Sequence, residues 1–171
     1  MNQMYIPRSL YREIMTTIGT EPTESGGIFA VKDNTVSDYY FDVEAGTGKR
    51  YYQPTALRVE EKVNRWLQEG KVFGYIHSHR PGLPQLSLMD LLCAQMNNRC
   101  NDLPFIYMAV VCDGQINLYK VAASQAEEQG EPEVYSLVLR EDDHCHEERR
   151  IPDWFSDAVR RKMDTLRKER V

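Results

Sequence analysis

Four residues near the middle of the chain have side chains and a spacing that suit metal chemistry. His77 and His79 are separated by one residue, and Ser87 and Asp90 follow them after a short loop. Residues i and i+2 of an extended strand point to the same side, so the two imidazoles would face one direction. Two neutral imidazoles and one carboxylate make a typical ligand set for a catalytic zinc ion, in which the fourth position is left for water.

Each part of this pattern also has an ordinary structural interpretation. A serine followed three residues later by an acidic residue is a helix-capping motif, so Ser87 and Asp90 could simply begin a helix. Two histidines at a strand end are more often structural or solvent-exposed than metal ligands. Glu24, which precedes another predicted strand, would by itself be a surface carboxylate. The two interpretations of Ser87 are compatible, because one hydroxyl can cap a helix and also point into a site.

The predicted secondary structure brings a strand end and a helix start together. The run "KVFGYIHSH", residues 71–79, contains few charges and is typical of a central strand that is buried on both faces. A helix is predicted from Ser87. Pro81 and Pro84 stiffen the loop between the two elements, which lowers the entropy cost of holding them in place.

The rest of the chain interleaves helices with strands. Helices are predicted near the start, ending at Gly19, and over residues 54–70, where Thr55 is the N-cap. The second helix has one apolar stripe, made of Ala56, Val59, Val63, Trp66 and Leu67. The pairs Asp33-Asn34 and Asp113-Gly114 predict turns of two β-hairpins. A further strand, "EVYSLVLRE", and a C-terminal amphipathic helix complete a predicted α/β (α+β) fold, a mixed sheet flanked by helices.

The complete pattern resembles the signature of the JAMM or MPN+ zinc metalloproteases, the JAB-domain family. That signature is an upstream glutamate, then H-x-H, seven residues and S-x-x-D, and Glu24, "HSH" and "SLMD" match it fully. The surroundings "ESGG" and "GYIHSH" resemble those of small bacterial members, and the resemblance covers roughly residues 5–122. The chain departs from the family at Arg80 and Leu86, where the family usually has prolines.

The resemblance implies a fold, a mechanism and a substrate class. One Zn²⁺ per monomer would be held by His77, His79 and Asp90, with Glu24 as general base and Ser87 as the donor to the oxyanion. The implied fold is the MPN/JAB type, a cytidine-deaminase-like three-layer architecture. The implied function is an isopeptidase or peptidase that hydrolyses the bond after the C-terminal glycine tail of a ubiquitin-like or sulfur-carrier protein. A hydrolase of short peptides or amino-acid adducts and a metal-free MPN interaction scaffold are the alternatives.

The expected organisation is a JAB/MPN+ domain, 1–123, and an extension, 124–171. The extension would add a strand and the amphipathic helix, packed on the same domain. The loop 44–53, "EAGTGKRYYQ", is either a wall of the substrate groove or a plain surface loop. An extended glycine-rich tail is expected to lie along a sheet edge beside loops 44–53 and 80–86. The segment "HCH", 144–146, has charged neighbours that favour a solvated loop over a second metal site.

Composition limits the remaining classes of function. The chain has 171 residues, which favours one domain, and its net charge of −5 gives no general case for binding nucleic acid. No apolar run approaches about 18 residues, so no membrane-spanning helix is expected, and the N-terminus lacks a secretory pattern. The expected location is therefore the cytoplasm. Free, buried thiols are expected at all four cysteines, which are Cys93, Cys100, Cys112 and Cys145.

Overall fold

Seven strands pair into one closed mixed sheet in the computed structural model, which describes residues 2–20, 24–45, 52–123 and 131–142. The strands are β1 (Asn2–Pro7), β2 (Gly26–Lys32), β3 (Thr35–Phe41), β4 (Val72–Ser78), β5 (Phe105–Cys112), β6 (Gln115–Ala122) and β7 (Glu133–Arg140). Their order around the barrel is β1-β3-β2-β4-β5-β6-β7. The predicted mixed sheet flanked by helices is confirmed, whereas its closure on itself was not predicted.

β1 closes the barrel by parallel pairing on both of its sides. It pairs with β7 along its whole length, from Asn2 opposite Tyr135 to Pro7 opposite Arg140. It meets β3 at Tyr5, which lies opposite Thr35. The predicted strand in "EVYSLVLRE" is β7, which also pairs with β6 in the antiparallel sense. The extension predicted from residue 124 therefore supplies a strand to the same sheet.

The described residues also form three helices: α1 (Arg8–Thr17), α2 (Ala56–Gln68) and α3 (Leu88–Cys100). α1 ends before Gly19, which lies in a short 3-10 turn instead of closing the helix. α2 begins after Thr55 as predicted. The φ angle of +69° at Gly70 shows why a glycine follows α2. The predicted stripe of α2 is wrong at Ala56 and at Leu67, which are both exposed.

Both predicted hairpins are confirmed, and their turns have the backbone geometry that the sequence indicates. Asp33 and Asn34 join β2 to β3 with φ angles of 49° and 59°. Asp113 and Gly114 join β5 to β6 with φ angles of 50° and 74°. Two successive left-handed residues are typical of the type I′ turn, whose twist matches that of the flanking strands.

Packing on one face of the sheet brings the end of β4 close to α3. β4 lies between β2, which is antiparallel to it, and β5, which is parallel. Phe73 and Tyr75 of β4 pack in a cluster with Trp66 of α2 and Ala94 of α3. His77 continues the same alternation along β4, so its ring points to the face that α3 covers. The side chain of Ile76 points the other way and lines the barrel interior.

Residues Met1–Glu141 form one compact unit. The predicted C-terminal helix, the segment 144–146 and Cys145 lie outside the described residues. Within the described residues, no helix is both long enough and apolar enough to cross a membrane. The described cysteines are free, but only Cys112 is buried, so the expectation of buried thiols is wrong for Cys93 and Cys100.

Candidate metal centre

The end of β4 holds the two histidines on one side of an extended chain. His77 lies opposite Gly26 of β2 and Val110 of β5. The backbone N–H of His79 donates to the carbonyl of Val111 at 3.0 Å, so the chain stays paired one residue beyond the strand. The two rings meet at an interplanar angle of 62° and their Nε2 atoms are 2.8 Å apart. The predicted same-side placement of the imidazoles is therefore observed.

The first turn of α3 brings Asp90 to these rings through a helix cap. Ser87 is the N-cap, and its Oγ accepts a hydrogen bond from the backbone N–H of Asp90 at 3.2 Å. The Asp90 carboxylate accepts in return from the backbone N–H of Ser87 at 2.7 Å, which completes a capping box. This fixes Asp90 Oδ2 and leaves Oδ1 directed at His77 Nε2, 3.1 Å away. The capping motif and the candidate site thus use the same residues.

Three donor atoms converge at this point. Asp90 Oδ2 lies 3.4 Å from His79 Nε2, and donor atoms of His77, His79 and Asp90 all lie within 4.8 Å of one another. Within the part of the chain that the structure describes, these imidazole and carboxylate donors form a group that could hold a metal ion. The structure therefore brings together all three residues that the sequence pattern selected as ligands.

A backbone carbonyl sets the tautomer of His79. Its Nδ1 lies 2.9 Å from the carbonyl oxygen of Leu83. A carbonyl oxygen only accepts, so Nδ1 must carry the proton and donate it. In the neutral ring Nε2 is then left with a free lone pair that faces His77 and Asp90. Such outer hydrogen bonds orient metal-ligating histidines and select the nitrogen that binds.

The close packing of these groups shifts their proton affinities. Burial by itself would raise the pKa of Asp90, but hydrogen bonds from His77, His79 and Ser87 outweigh it and hold the pKa well below its usual range. The hydrogen bond to Asp90 raises the pKa of His79, and burial opposes this shift only in part.

Glu24 lies in the same cleft, although it is far from the histidines in sequence. Burial raises the pKa of Glu24, while the nearby rings of His77 and His79 lower it. The position of Glu24 is set by the next residue, Ser25, which is bonded to β4. The backbone N–H of Ser25 donates to Ser78 Oγ at 3.1 Å. The backbone N–H of Ser78 donates in turn to the carbonyl of Ser25 at 2.9 Å.

Ser78 is thus a site residue that the sequence interpretation missed. Its side chain is buried on the opposite side of the strand from the two rings, where it ties the Glu24 segment to β4. The signal was present, because the residue between two same-side histidines must point the other way.

Glycine is required where this segment enters β2. A Cβ added to Gly26 would collide with the ring of Tyr52, which lies over it. The hydroxyl of Tyr52 donates to Asp42 Oδ2 at 3.0 Å, and the backbone N–H of Thr55 donates to the same oxygen at 2.7 Å. Within the loop 44–53, residues 46–51 lie outside the described residues.

An open cleft of about 880 Å³ runs beside the donor atoms. Glu24, His79 and Asp90 line it, together with most of the loop 80–86. The loop is held in place by the backbone N–H of Gly82, which donates to Asp113 Oδ2 at 2.9 Å. Ser87 is exposed in this cleft, and its hydroxyl donates to Asp90 Oδ2 at 2.7 Å.

Comparison with known proteins found similarity to solved structures only. No protein-family model and no curated protein matches the chain. A JAB1/MPN domain protein from Archaeoglobus fulgidus is similar, with 17% identity and a TM-score of 0.45 over 80% of this chain and 98% of that one. A structure described as "JAMM: a metalloprotease-like zinc site in the proteasome and signalosome" has 16% identity and a TM-score of 0.43, over 80% of this chain and 99% of that one. The chain is thus similar in structure to proteins described by the JAB1/MPN and JAMM names.

Proposed function

We propose that this protein is a zinc-dependent isopeptidase or peptidase. Its substrate would be the bond after the C-terminal glycine tail of a ubiquitin-like or sulfur-carrier protein. The observation that carries the proposal is the convergence of His77, His79 and Asp90 beside an open cleft that also contains Glu24.

The donor set supports zinc as the metal. A tetrahedral zinc ion with bonds of about 2.0–2.1 Å separates neighbouring donor atoms by about 3.3 Å. The separations from His77 Nε2 are 2.8 Å to His79 Nε2 and 3.1 Å to Asp90 Oδ1. Bound zinc would supply Lewis acidity, lowering the pKa of a water molecule and polarising the scissile carbonyl.

Glu24 would act as the general base and then as the general acid. Its carboxylate would take a proton from the attacking water and deliver it to the nitrogen of the leaving amine. Partial burial raises the pKa of Glu24, which makes its carboxylate a better proton acceptor at neutral pH. The pairing of Ser25 with Ser78 keeps this carboxylate beside the candidate ligands.

Ser87 would contribute to the oxyanion site. Ser87 is exposed in the cleft, and the direction of its hydroxyl proton can change by rotation about the Cβ–Oγ bond. In the structure this proton is donated to Asp90 Oδ2. We propose that it turns to the substrate carbonyl oxygen during the reaction, where negative charge develops.

The open cleft is the proposed path for an extended tail. β4 is paired on both sides, with β2 and β5, so the strand that carries the histidines offers no free edge of its own to a substrate. Small residues next to the scissile bond would let the substrate backbone approach the donor atoms closely, which favours a Gly-Gly tail.

The free, exposed thiols of Cys93 and Cys100 suit a reducing compartment such as the cytoplasm.

Metal content and hydrolysis together test the proposal. Protein purified without chelator should contain about one zinc per monomer, and His77→Ala should contain far less. A ubiquitin-like protein fused through Gly-Gly to an amine should be cleaved, and Glu24→Gln should keep the zinc but lose activity by about 10²- to 10⁴-fold. Glu60→Gln, an equal change at an exposed position of α2, is the matched control.

Two results would contradict the proposal. A wild-type protein that takes up no zinc would favour the metal-free scaffold. A zinc-loaded protein that cleaves a free short peptide as efficiently as the fused carrier would favour the short-peptide hydrolase.

A further inference from the structure

Tyr52 fills the place beside His77 that a side chain at position 26 would otherwise take. Gly26 lies directly opposite His77 where β2 pairs with β4, and opposite residues of two paired strands project to the same face of the sheet. Three ring carbons of Tyr52 lie 2.3–2.6 Å from the position of a Cβ on Gly26. The ring therefore covers the backbone of β2 at the point where this strand faces a candidate ligand.

A buried carboxylate holds this ring and the strand beneath it together. Asp42 is 1% exposed, and its Oδ2 accepts from the Tyr52 hydroxyl at 3.0 Å and from the backbone N–H of Thr55 at 2.7 Å. The backbone N–H of Asp42 donates to the carbonyl of Gly26 at 3.0 Å. Gly26 is thus held from two sides, by a main-chain bond to Asp42 and by the ring that Asp42 fixes. Asp42 and Tyr52 form a clamp on Gly26.

The clamp has a cost in stability. No described residue donates a hydrogen bond to Asp42 Oδ1, although this oxygen is buried. A buried carboxylate oxygen without a donor lowers stability, because the hydration that it loses on folding is not replaced. An apolar side chain at position 42 would avoid this loss but could not accept from Tyr52. A costly polar arrangement next to a candidate site indicates a role in positioning that site.

The clamp reaches Glu24 through two residues of main chain. Ser25 lies between Glu24 and Gly26, and it is bonded to Ser78 of β4 in both directions. Glu24 therefore extends from a segment that is fixed at two successive residues, and it lines the cleft with two of the candidate ligands. The candidate ligands themselves are placed by the end of β4 and the start of α3. A change in the clamp should therefore move Glu24 more than it moves the ligands.

We propose that Tyr52 and Asp42 are positioning residues that hold Glu24 in the geometry of a general base, an inference that rests on the proposed function. Neither residue lines the cleft, so both would act through the backbone of β2 and not by contact with the substrate. A displacement of about 1 Å at a reacting group can lower a rate by about 10²-fold, so a hydrogen bond outside the cleft can control turnover.

Tyr52→Phe tests this role, because it keeps the ring over Gly26 and removes only the hydroxyl. With a ubiquitin-like protein fused through Gly-Gly to an amine, the zinc-loaded variant should lose about 10- to 100-fold in kcat at an unchanged KM. Its zinc affinity, measured by competition with a chelator, should fall by much less than the roughly 10- to 100-fold that loss of a hydrogen bond to a ligand causes. Amide exchange at Ser25 should become about 10-fold faster, as expected when one hydrogen bond no longer opposes local opening.

Tyr39→Phe is the matched control. Tyr39 is also buried, and its hydroxyl lies 2.8 Å from Thr17 Oγ1, so this substitution also removes one buried hydrogen bond. Neither Tyr39 nor Thr17 lines the cleft, so kcat and the exchange rate at Ser25 should stay at their wild-type values. Asp42→Asn keeps an acceptor oxygen for the Tyr52 hydroxyl and should therefore lose less kcat than Tyr52→Phe.

Four results would overturn the positioning role while the proposed hydrolase stands. They are full kcat in Tyr52→Phe, an equal loss of kcat in Tyr39→Phe, exchange at Ser25 that Tyr52→Phe leaves unchanged, and a loss of zinc affinity as large as the loss of kcat. A zinc-loaded wild type that does not cleave the fusion would overturn the proposed function, and this inference with it.

Discussion

The double use of Ser87 leads to a prediction in which stability and activity separate. Ser87→Ala removes the hydrogen bond from the Asp90 backbone N–H at 3.2 Å and the one to Asp90 Oδ2 at 2.7 Å. The bond from the Ser87 backbone N–H to the same carboxylate is unaffected by the side chain. Because the residue is exposed, we expect the metal-free protein to lose about 1 kcal/mol, the typical cost of an N-cap alanine.

The same substitution should have a larger effect on catalysis. Loss of one oxyanion donor is expected to lower kcat by about 10²- to 10³-fold. The free energy of unfolding is measured by denaturant titration in chelator, and kcat with the Gly-Gly fusion substrate. A loss of 1 kcal/mol corresponds to a Tm decrease of roughly 2–4 °C in a domain of this size, which scanning calorimetry resolves.

Ser87→Gly separates the two roles. Glycine at an N-cap costs only a few tenths of a kcal/mol relative to serine, yet it has no hydroxyl. Ser87→Gly should therefore be nearly as stable as the wild type and as inactive as Ser87→Ala. If the activity of the two variants instead follows their stability, the hydroxyl acts only through the cap. If Ser87→Ala retains full activity, Ser87 is not an oxyanion donor.

Three further predictions follow from the site and its surroundings. The raised pKa of His79 stabilises the folded protein below about pH 6.5, and this stabilisation is lost as the pH rises through the folded-state pKa. The lowered pKa of Asp90 stabilises the folded protein above about pH 3.9, and this stabilisation is lost as the pH falls through the folded-state pKa. The metal-free wild type should therefore exceed Asp90→Asn in unfolding free energy most clearly between about pH 4 and 6.5, and a pH-independent difference would refute this. Gly26→Ala should destabilise the protein by about 1–3 kcal/mol in denaturant titration, because its Cβ collides with the ring of Tyr52; an unchanged midpoint would refute this packing. Removal of residues 150–171 should leave zinc uptake intact by elemental analysis, and a folded but zinc-free product would place part of the site in that segment.

The candidate ligands could be predicted from sequence because their arrangement is local. The alternation of a strand places His77 and His79 on one side, and the capping motif begins the helix that carries Asp90. Glu24 was assigned through the family resemblance, since its distance from the histidines is set by pairing of Gly26 with His77, which no short spacing encodes.

Other contributions to the site and the fold could not be predicted, because main-chain and non-local contacts have little signature in residue type. The carbonyl of Leu83 orients His79, and any residue could supply that carbonyl. β1 is a strand of six residues ending in proline, and its identity depends on parallel pairing with β7. Leu67 matched the apolar spacing of α2 but is exposed.

The closure of the barrel by β1 and β7 has a consequence for the order of folding. The partner of Asn2 is Tyr135, so the first described strand must wait for the last described strand before it can pair along its length. Loop closure over such a separation is slow, and during synthesis β1 would leave the ribosome long before β7 is made. The hairpins β2–β3 and β5–β6 need only local contacts and can form first. Chaperone dependence during synthesis should therefore be highest in the interval before residue 140 emerges.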